Sequence, residues 1–147
     1  DMVIGDYLAN ESVGLVEDST REPSYDALTD TVTIPAKTAF GYEEDYYASL
    51  FGEFVHSTAT SGRCNRKAEF EGLSSGKEMT VKEELIAEIG SSMVLSVCGM
   101  KRKETHTQIA AECQRWIEEF NRDLRLVISA SYGAEKAARL ILGDFAE

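Results

Sequence analysis

The apolar residues change period at about Glu43, and that change constrains the fold more than any other feature of the sequence. Before it they come in short alternating runs; after it they recur at helical spacing. Glu43, Glu44 and Asp45 suit the positive end of a helix dipole, and Leu50, Phe51, Phe54 and Val55 follow as an apolar stripe, so a helix is expected from Glu43 to near Ser61–Gly62. The polar stretch "GLSSGKEMT" then connects to a second helix from about Thr80 to Cys98. Val81, Leu85, Ile89 and Met93 mark its expected buried face, and Gly99 its stop. Two further helices are expected over roughly 104–121 and 123–142, the last closed by Gly143.

Upstream, residues 2–10 suit a short helix. "VGLV" (13–16) and "TVTI" (31–34) read as strands, with turn residues in "PSYDALTDT" between them, which suggests a hairpin. Pro35 at the end of the second strand points to an edge. The expected architecture is α+β, a small antiparallel sheet or hairpin followed by about four helices. At 147 residues the chain is expected to form a single domain over 1–147, burying roughly 68–70% of its unfolded surface, so no metal is required merely to fold it. With Asp1 first and Met2 second, it reads as part of a longer protein.

Composition narrows the function classes. Against 26 Asp+Glu stand 15 Lys+Arg, a formal charge of -11 that repels a nucleic-acid backbone, although Arg63, Arg66 and Lys67 suggest a local basic patch. Cys64, Cys98 and Cys113 form no C-x-x-C pair and follow no secretory segment, which points to a reducing cytoplasm. No apolar run reaches the roughly 18 residues of a membrane span.

The segment "GEFVH" (52–56) carries the chemistry. It matches the zinc-hydrolase signature H-E-x-x-H, in which two histidines one turn apart hold the metal and the intervening glutamate activates water, except that Gly52 stands where the first histidine belongs. On a helical wheel Ala48, Gly52, His56 and Ala59 share one strip. The plainer reading makes His56 a helix-flank histidine bonded to a carboxylate and Gly52 a point of close helix packing. In "KEELIAEIGSSM", Glu84 and Glu88 stack four residues apart, the spacing at which one carboxylate ligates a metal and another orients a ligating histidine. Glu83 reads as exposed. A di-iron reading fails, because Lys103 stands three residues before His106 where a second Glu-x-x-His pair needs glutamate. Nothing in the sequence brings a cysteine to His56 for thiol catalysis.

Four ordered blocks, "YDALTDTVTIP", "AFGYEEDYYASLFGEFVHSTATSGRCNR", "EELIAEIGSSM" and "ASYGAEKAARLILG", resemble the C-terminal zincin-like metallopeptidase domain of ArdC-type antirestriction proteins of plasmids, phages and conjugative elements. The resemblance covers about residues 24–143. It implies a zincin-like fold, with Glu53 at the general-base position and His56 at the second histidine ligand. It also implies Glu84 as the glutamate ligand, with Glu88 its companion, and which of the two touches the metal stays open. Gly52 occupies the first-ligand position without a donor, and Tyr132 stands where the family commonly has histidine. The family's single-stranded-DNA-binding domain has no counterpart here.

A catalytic zinc site ordinarily has three protein ligands and one position for water. With His56 and a glutamate alone, zinc binding is expected to be weak or absent, and peptidase activity impaired. His106, at the start of the third helix, and Cys64, eight residues past His56 and able to reach the cleft only if its loop folds back, are the available replacements. The alternative is a binding or scaffold domain engaging a protein or peptide along the "TVTIP" edge.

Overall fold

The computed structural model describes residues 2–66, 81–101 and 106–146, the side chains of His106, Ile109, Glu112 and Ala146 excepted. The N-terminal helix α1 (Met2–Glu11) precedes three short strands, β1 (Gly14–Glu17), β2 (Ser24–Asp26) and β3 (Thr31–Ile34). Their spatial order is β1-β3-β2. β3 therefore lies in the centre, parallel to β1 with Leu15 opposite Val32, and antiparallel to β2 with Tyr25 opposite Val32.

This corrects three expectations. The hairpin is made by β2 and β3 rather than by 13–16 and 31–34; the sheet is mixed; and "TVTI" is not an edge strand, so the peptide-docking edge expected there does not exist. The physical reason lies in "PSYDALTDT". Tyr25 is buried, and its hydroxyl donates to Asp30 Oδ1 at 2.7 Å, so part of a segment rich in turn residues is itself a strand. β3 is covered on both flanks, with Val32 and Ile34 essentially inaccessible.

Helix α2 (Glu43–Ser57) packs against the sheet, and α3 (Val81–Val97) packs between α2 and α5 (Leu124–Leu142). Helix α4 (His106–Arg122) precedes α5. The expected four helices after the sheet are present, and the connection 72–80 and residues 102–105 lie outside the described residues. Gly99 and Gly143, just beyond α3 and α5, both have positive φ (70° and 53°), the left-handed stop that glycine permits at little cost. Asp123 caps α5, its carboxylate accepting from the backbone N–H groups of Arg125 and Leu126. Among the described residues, no helix is long and apolar enough to cross a membrane.

The buried face of α3 is wider than the apolar residues suggested. Leu85 is buried as expected and Ile89 and Met93 are half-buried against the core, but Val81 is exposed, and Glu83, Ile86, Ala87, Gly90 and Val94 are buried as well. Because α3 has neighbours on two sides, its inner surface is wide, and it includes a glycine that makes room for them. A Cβ on Gly90 would meet Val55 Cγ2 at 2.9 Å, so here the two helices lie too close for a side chain larger than hydrogen.

Among the described residues, Arg63 and Arg66 do not form the expected surface basic patch. The side chain of Arg63 is largely covered and donates to both Asp30 oxygens (2.9 and 2.7 Å), to Glu11 Oε2 (3.1 Å) and to the carbonyls of Glu11 and Ser57 (both 2.8 Å). It ties α1, the β2–β3 turn and the end of α2 together. Arg66 is buried as well, and Lys67 lies outside the described residues.

Candidate functional site

The α2 strip bearing Gly52 and His56 faces α3, and the two ends of that interface differ. At its C-terminal end, His56 Nδ1 lies 3.2 Å from Glu83 Oε1. Glu83 is wholly buried, contrary to its expected exposure, because Arg66 neutralises it: Nε donates to Oε2 at 3.0 Å and Nη2 to Oε1 at 2.9 Å. The same guanidinium donates to Thr58 Oγ1 (2.9 Å) and to the Val55 carbonyl (2.8 Å). Burial pushes the Glu83 carboxyl up, but the bonds from Arg66 and His56 outweigh it, and the group is held below the ordinary carboxylate value.

Towards the start of α2, the interface opens. A cavity of about 340 Å³ lies between Ala48, Ser49 and Gly52 of α2 and Ala87, Glu88 and Ser91 of α3. A Cβ added at Gly52 would meet nothing within 4 Å, so the glycine is not there for close packing. The plainer reading of this strip thus holds for His56, which is bonded to a carboxylate, and fails for Gly52. Glu88 is half-buried and forms an ion pair with Arg115 of α4 at the rim. Glu53 is also half-buried; desolvation raises its carboxyl, with His56 pulling the other way, the direction a general base would use.

The remaining expected site residues are dispersed. Glu84 is exposed, one residue from the carboxylate that meets His56. Tyr132 is 66% exposed and lines a different cavity, beside Arg66 and Lys82, not the one at Gly52. Cys64 lines that second cavity too, and the side chain of His106 lies outside the described residues. Sequence reasoning missed Glu83, Arg66 and Arg115. The available signal was the buried stripe 83, 86, 87, 90, 94, which has helical spacing but begins with a carboxylate and passes through glycine.

A zincin metal requires three side-chain donors around one point. Gly52 supplies none, Glu83 is committed to Arg66 and His56, and Glu88 is paired with Arg115. Among the described residues no group of three or more His, Cys, Asp or Glu side chains converges on a metal position. What persists is the support for one ligand: a histidine held through Nδ1 by a carboxylate, the arrangement that presents Nε2 to a metal. The described residues do not by themselves make up a complete zinc site.

Comparison with known proteins places this geometry in context. A family model described as a zincin-like metallopeptidase matches residues 5–133. Two solved structures of the antirestriction protein ArdC from plasmid R388 are similar to this chain. The metal-free form has a TM-score of 0.71 at 29% identity, over 99% of this chain and 51% of that one. The Mn(II)-bound form has a TM-score of 0.68 at 27% identity, over 100% and 53% respectively. Two proteins of Escherichia coli called DNA primase TraC are 31% and 30% identical over 118 residues, which is 80% of this chain but 8% and 11% of theirs. The chain thus spans about half the length of the solved structures and about a tenth of the TraC proteins.

Proposed function

The chain belongs to the zincin-like metallopeptidase family, and from that premise we propose that its metal site is degenerate and that it binds a protein or peptide partner without cutting it. One observation carries the reading. The position that matches the first zinc ligand is Gly52, and it opens onto an empty-sided cavity while the supporting pair His56–Glu83 is intact. A hydrolase of this type needs a Lewis-acidic metal to polarise the scissile carbonyl and activate water. With Gly52 at that position, Glu53 has no complete ligand set beside it. Metal binding in the unaltered chain is therefore weak or absent.

The likeness to ArdC and TraC supports a role as one domain of a longer mobile-element protein connected with antirestriction. The net charge of -11 argues against nucleic-acid binding by this domain alone, and its free thiols suit a reducing cytoplasm.

Calorimetry with zinc and with manganese tests the reading on three proteins. The unaltered chain and Gly52→Ala are expected to bind neither metal stoichiometrically. Gly52→His, with Glu88 at the same cavity exchanging its Arg115 pair for the metal, should bind zinc and show a zinc-dependent rise in Tm that follows mass action. Stoichiometric zinc in the unaltered chain would overturn the proposal. A folded Gly52→His that binds no better than Gly52→Ala would remove the metallopeptidase ancestry of this particular cleft.

A further inference from the structure

β1 is an edge strand, and the ladder fixes which backbone groups its outer side offers. In the parallel pairing with β3, the Gly14 N–H donates to the Asp30 carbonyl at 2.9 Å and the Asp18 N–H to the Ile34 carbonyl at 3.0 Å. Alternate residues of a strand turn their N–H and C=O groups to opposite sides, so Gly14, Val16 and Asp18 face β3 while Leu15 and Glu17 present theirs outward. Among the described residues no backbone group bonds to Leu15 or Glu17 on that side. We propose that this edge binds an extended segment of a partner protein by strand addition, the segment carrying a basic residue opposite Glu17 and an apolar one opposite Leu15. The proposal deepens the binding role proposed above and rests on that reading for the existence of a partner, but not on the state of the cleft at Gly52.

The opposite edge of the sheet is the poorer candidate. Val32 and Ile34 of β3 turn their backbone groups towards β1, so Thr31 and Thr33 turn theirs towards their β2 partners Asp26 and Ser24, which leaves only Tyr25 of that three-residue strand facing out. Tyr25 is buried. Along β1, by contrast, Leu15 is 39% and Val16 48% exposed, and Glu17 is exposed as well. Parallel partners share a face of the sheet, so Leu15 continues the face of Val32, which is wholly inaccessible. The core thus ends half-covered at this rim, where one more strand would close it. Unpaired edges are usually blunted by proline, a bulge or an inward-pointing charge. Gly14–Glu17 contains no proline, and its register against Thr31–Ile34 runs without a bulge.

Charge selects the occupant. β1 has no basic residue; Glu17 is exposed and Asp18 follows it, while Arg21 in the turn beyond acts electrostatically on Asp18. Opposite charges across a strand pair are favourable and like charges unfavourable, so the edge prefers a cationic side chain opposite Glu17. A second copy fits less well, because it offers another acidic strand on a molecule of formal charge -11. Antiparallel addition uses both outward residues, each exchanging two hydrogen bonds with the residue opposite. The main chain then supplies affinity and the two side chains supply selectivity.

The test is an NMR titration of the full chain with the capped peptide Thr-Lys-Thr-Val-Thr, which in antiparallel register sets its lysine opposite Glu17 and its valine opposite Leu15. Saturable shifts of the Leu15 and Glu17 amides are expected, with a Kd on the order of 1 mM, together with slowed hydrogen exchange at both. The same peptide N-methylated at lysine and valine should produce neither. Leu15→Pro removes an N–H that β3 does not use and should weaken binding at least about tenfold with the fold kept. Glu17→Lys leaves the backbone intact, so it decides the matter even where the proline variant does not fold; it should weaken binding by roughly three- to tenfold and favour a peptide with glutamate in place of lysine. Shifts that never saturate, or that centre on Tyr25, would overturn the site. Unchanged affinity in Glu17→Lys would overturn the basic partner, and shifts at Leu15 and Glu17 that follow protein concentration without peptide would replace it by a second copy. Cleavage of the peptide, followed by mass spectrometry, would count against the non-cutting reading and leave the edge standing.

Discussion

The two ends of the α2–α3 interface are built from the same pair of helices and have opposite character. Around His56, Glu83 and Arg66 the carboxylate is buried between the imidazole and the guanidinium; around Gly52 a cavity replaces a side chain, and Glu88 reaches outward to Arg115. Between them Gly90 sits against Val55, the contact that fixes how closely the helices approach. The contrast separates two roles that a working metallohydrolase combines in one cleft. The part that holds a histidine is also a structural ion cluster tying the 64–66 loop to two helices. Position 52 has no packing duty, so it can be glycine without disturbing the helices.

If that contrast is right, the largest stability effect belongs to the filled end. Glu83→Gln leaves the Arg66 guanidinium buried without its counter-charge and should cost about 3–5 kcal/mol by urea denaturation at neutral pH. Little or no loss would break the comparison at once.

The same group sets a pH dependence. Its folded-state pKa is depressed, so its contribution is present above the ordinary carboxylate value of about 4.3 and is lost as pH falls through the depressed value. Glu53 works the other way: its raised value means that its ionisation costs stability at neutral pH and that acid relieves the cost. The informative quantity is therefore the difference between the unaltered chain and Glu83→Gln from pH 7 down to pH ~3. It should shrink in acid, and a difference independent of pH would refute the assignment of the ion cluster.

Gly90→Ala comes next. Its methyl group would have to push Val55, which is completely buried, and a loss of about 1–3 kcal/mol is expected. The smallest effect should come at the open end, with reversed sign. Gly52→Ala meets no neighbour and removes backbone freedom from the unfolded chain, so it should stabilise by about 0.5–1 kcal/mol. A destabilising Gly52→Ala would mean that the cavity is not open, and the distinction between the two ends would lose its basis.

Helix existence was legible in the sequence because each helix announces itself locally. The acidic start of α2, its apolar stripe at 50, 51, 54 and 55, and the glycines after α3 and α5 depend only on residues within a few turns. The strand at Ser24–Asp26 was not legible, because its three residues have no alternating pattern long enough to see, and Tyr25 is buried only through tertiary packing. Glu83 failed for a related reason. A carboxylate between a lysine and another glutamate reads as solvated, and nothing local indicates that a guanidinium from the 64–66 loop will neutralise it.

By itself the sequence determined the helical majority, the strip that places Gly52 and His56 on one face, and the glycine at position 52 of the "GEFVH" segment, since each follows from residue identity and the fixed period of a helix. Only the tertiary structure decided which carboxylate meets His56, that β3 is central rather than an edge, and that Tyr132 belongs to a lysine-lined cavity away from Gly52. Those outcomes depend on the rotation of α3 about its axis and on strand order, both set by the summed packing of distant segments. A rotation of one residue's step, 100°, is enough to exchange Glu83 for Glu84.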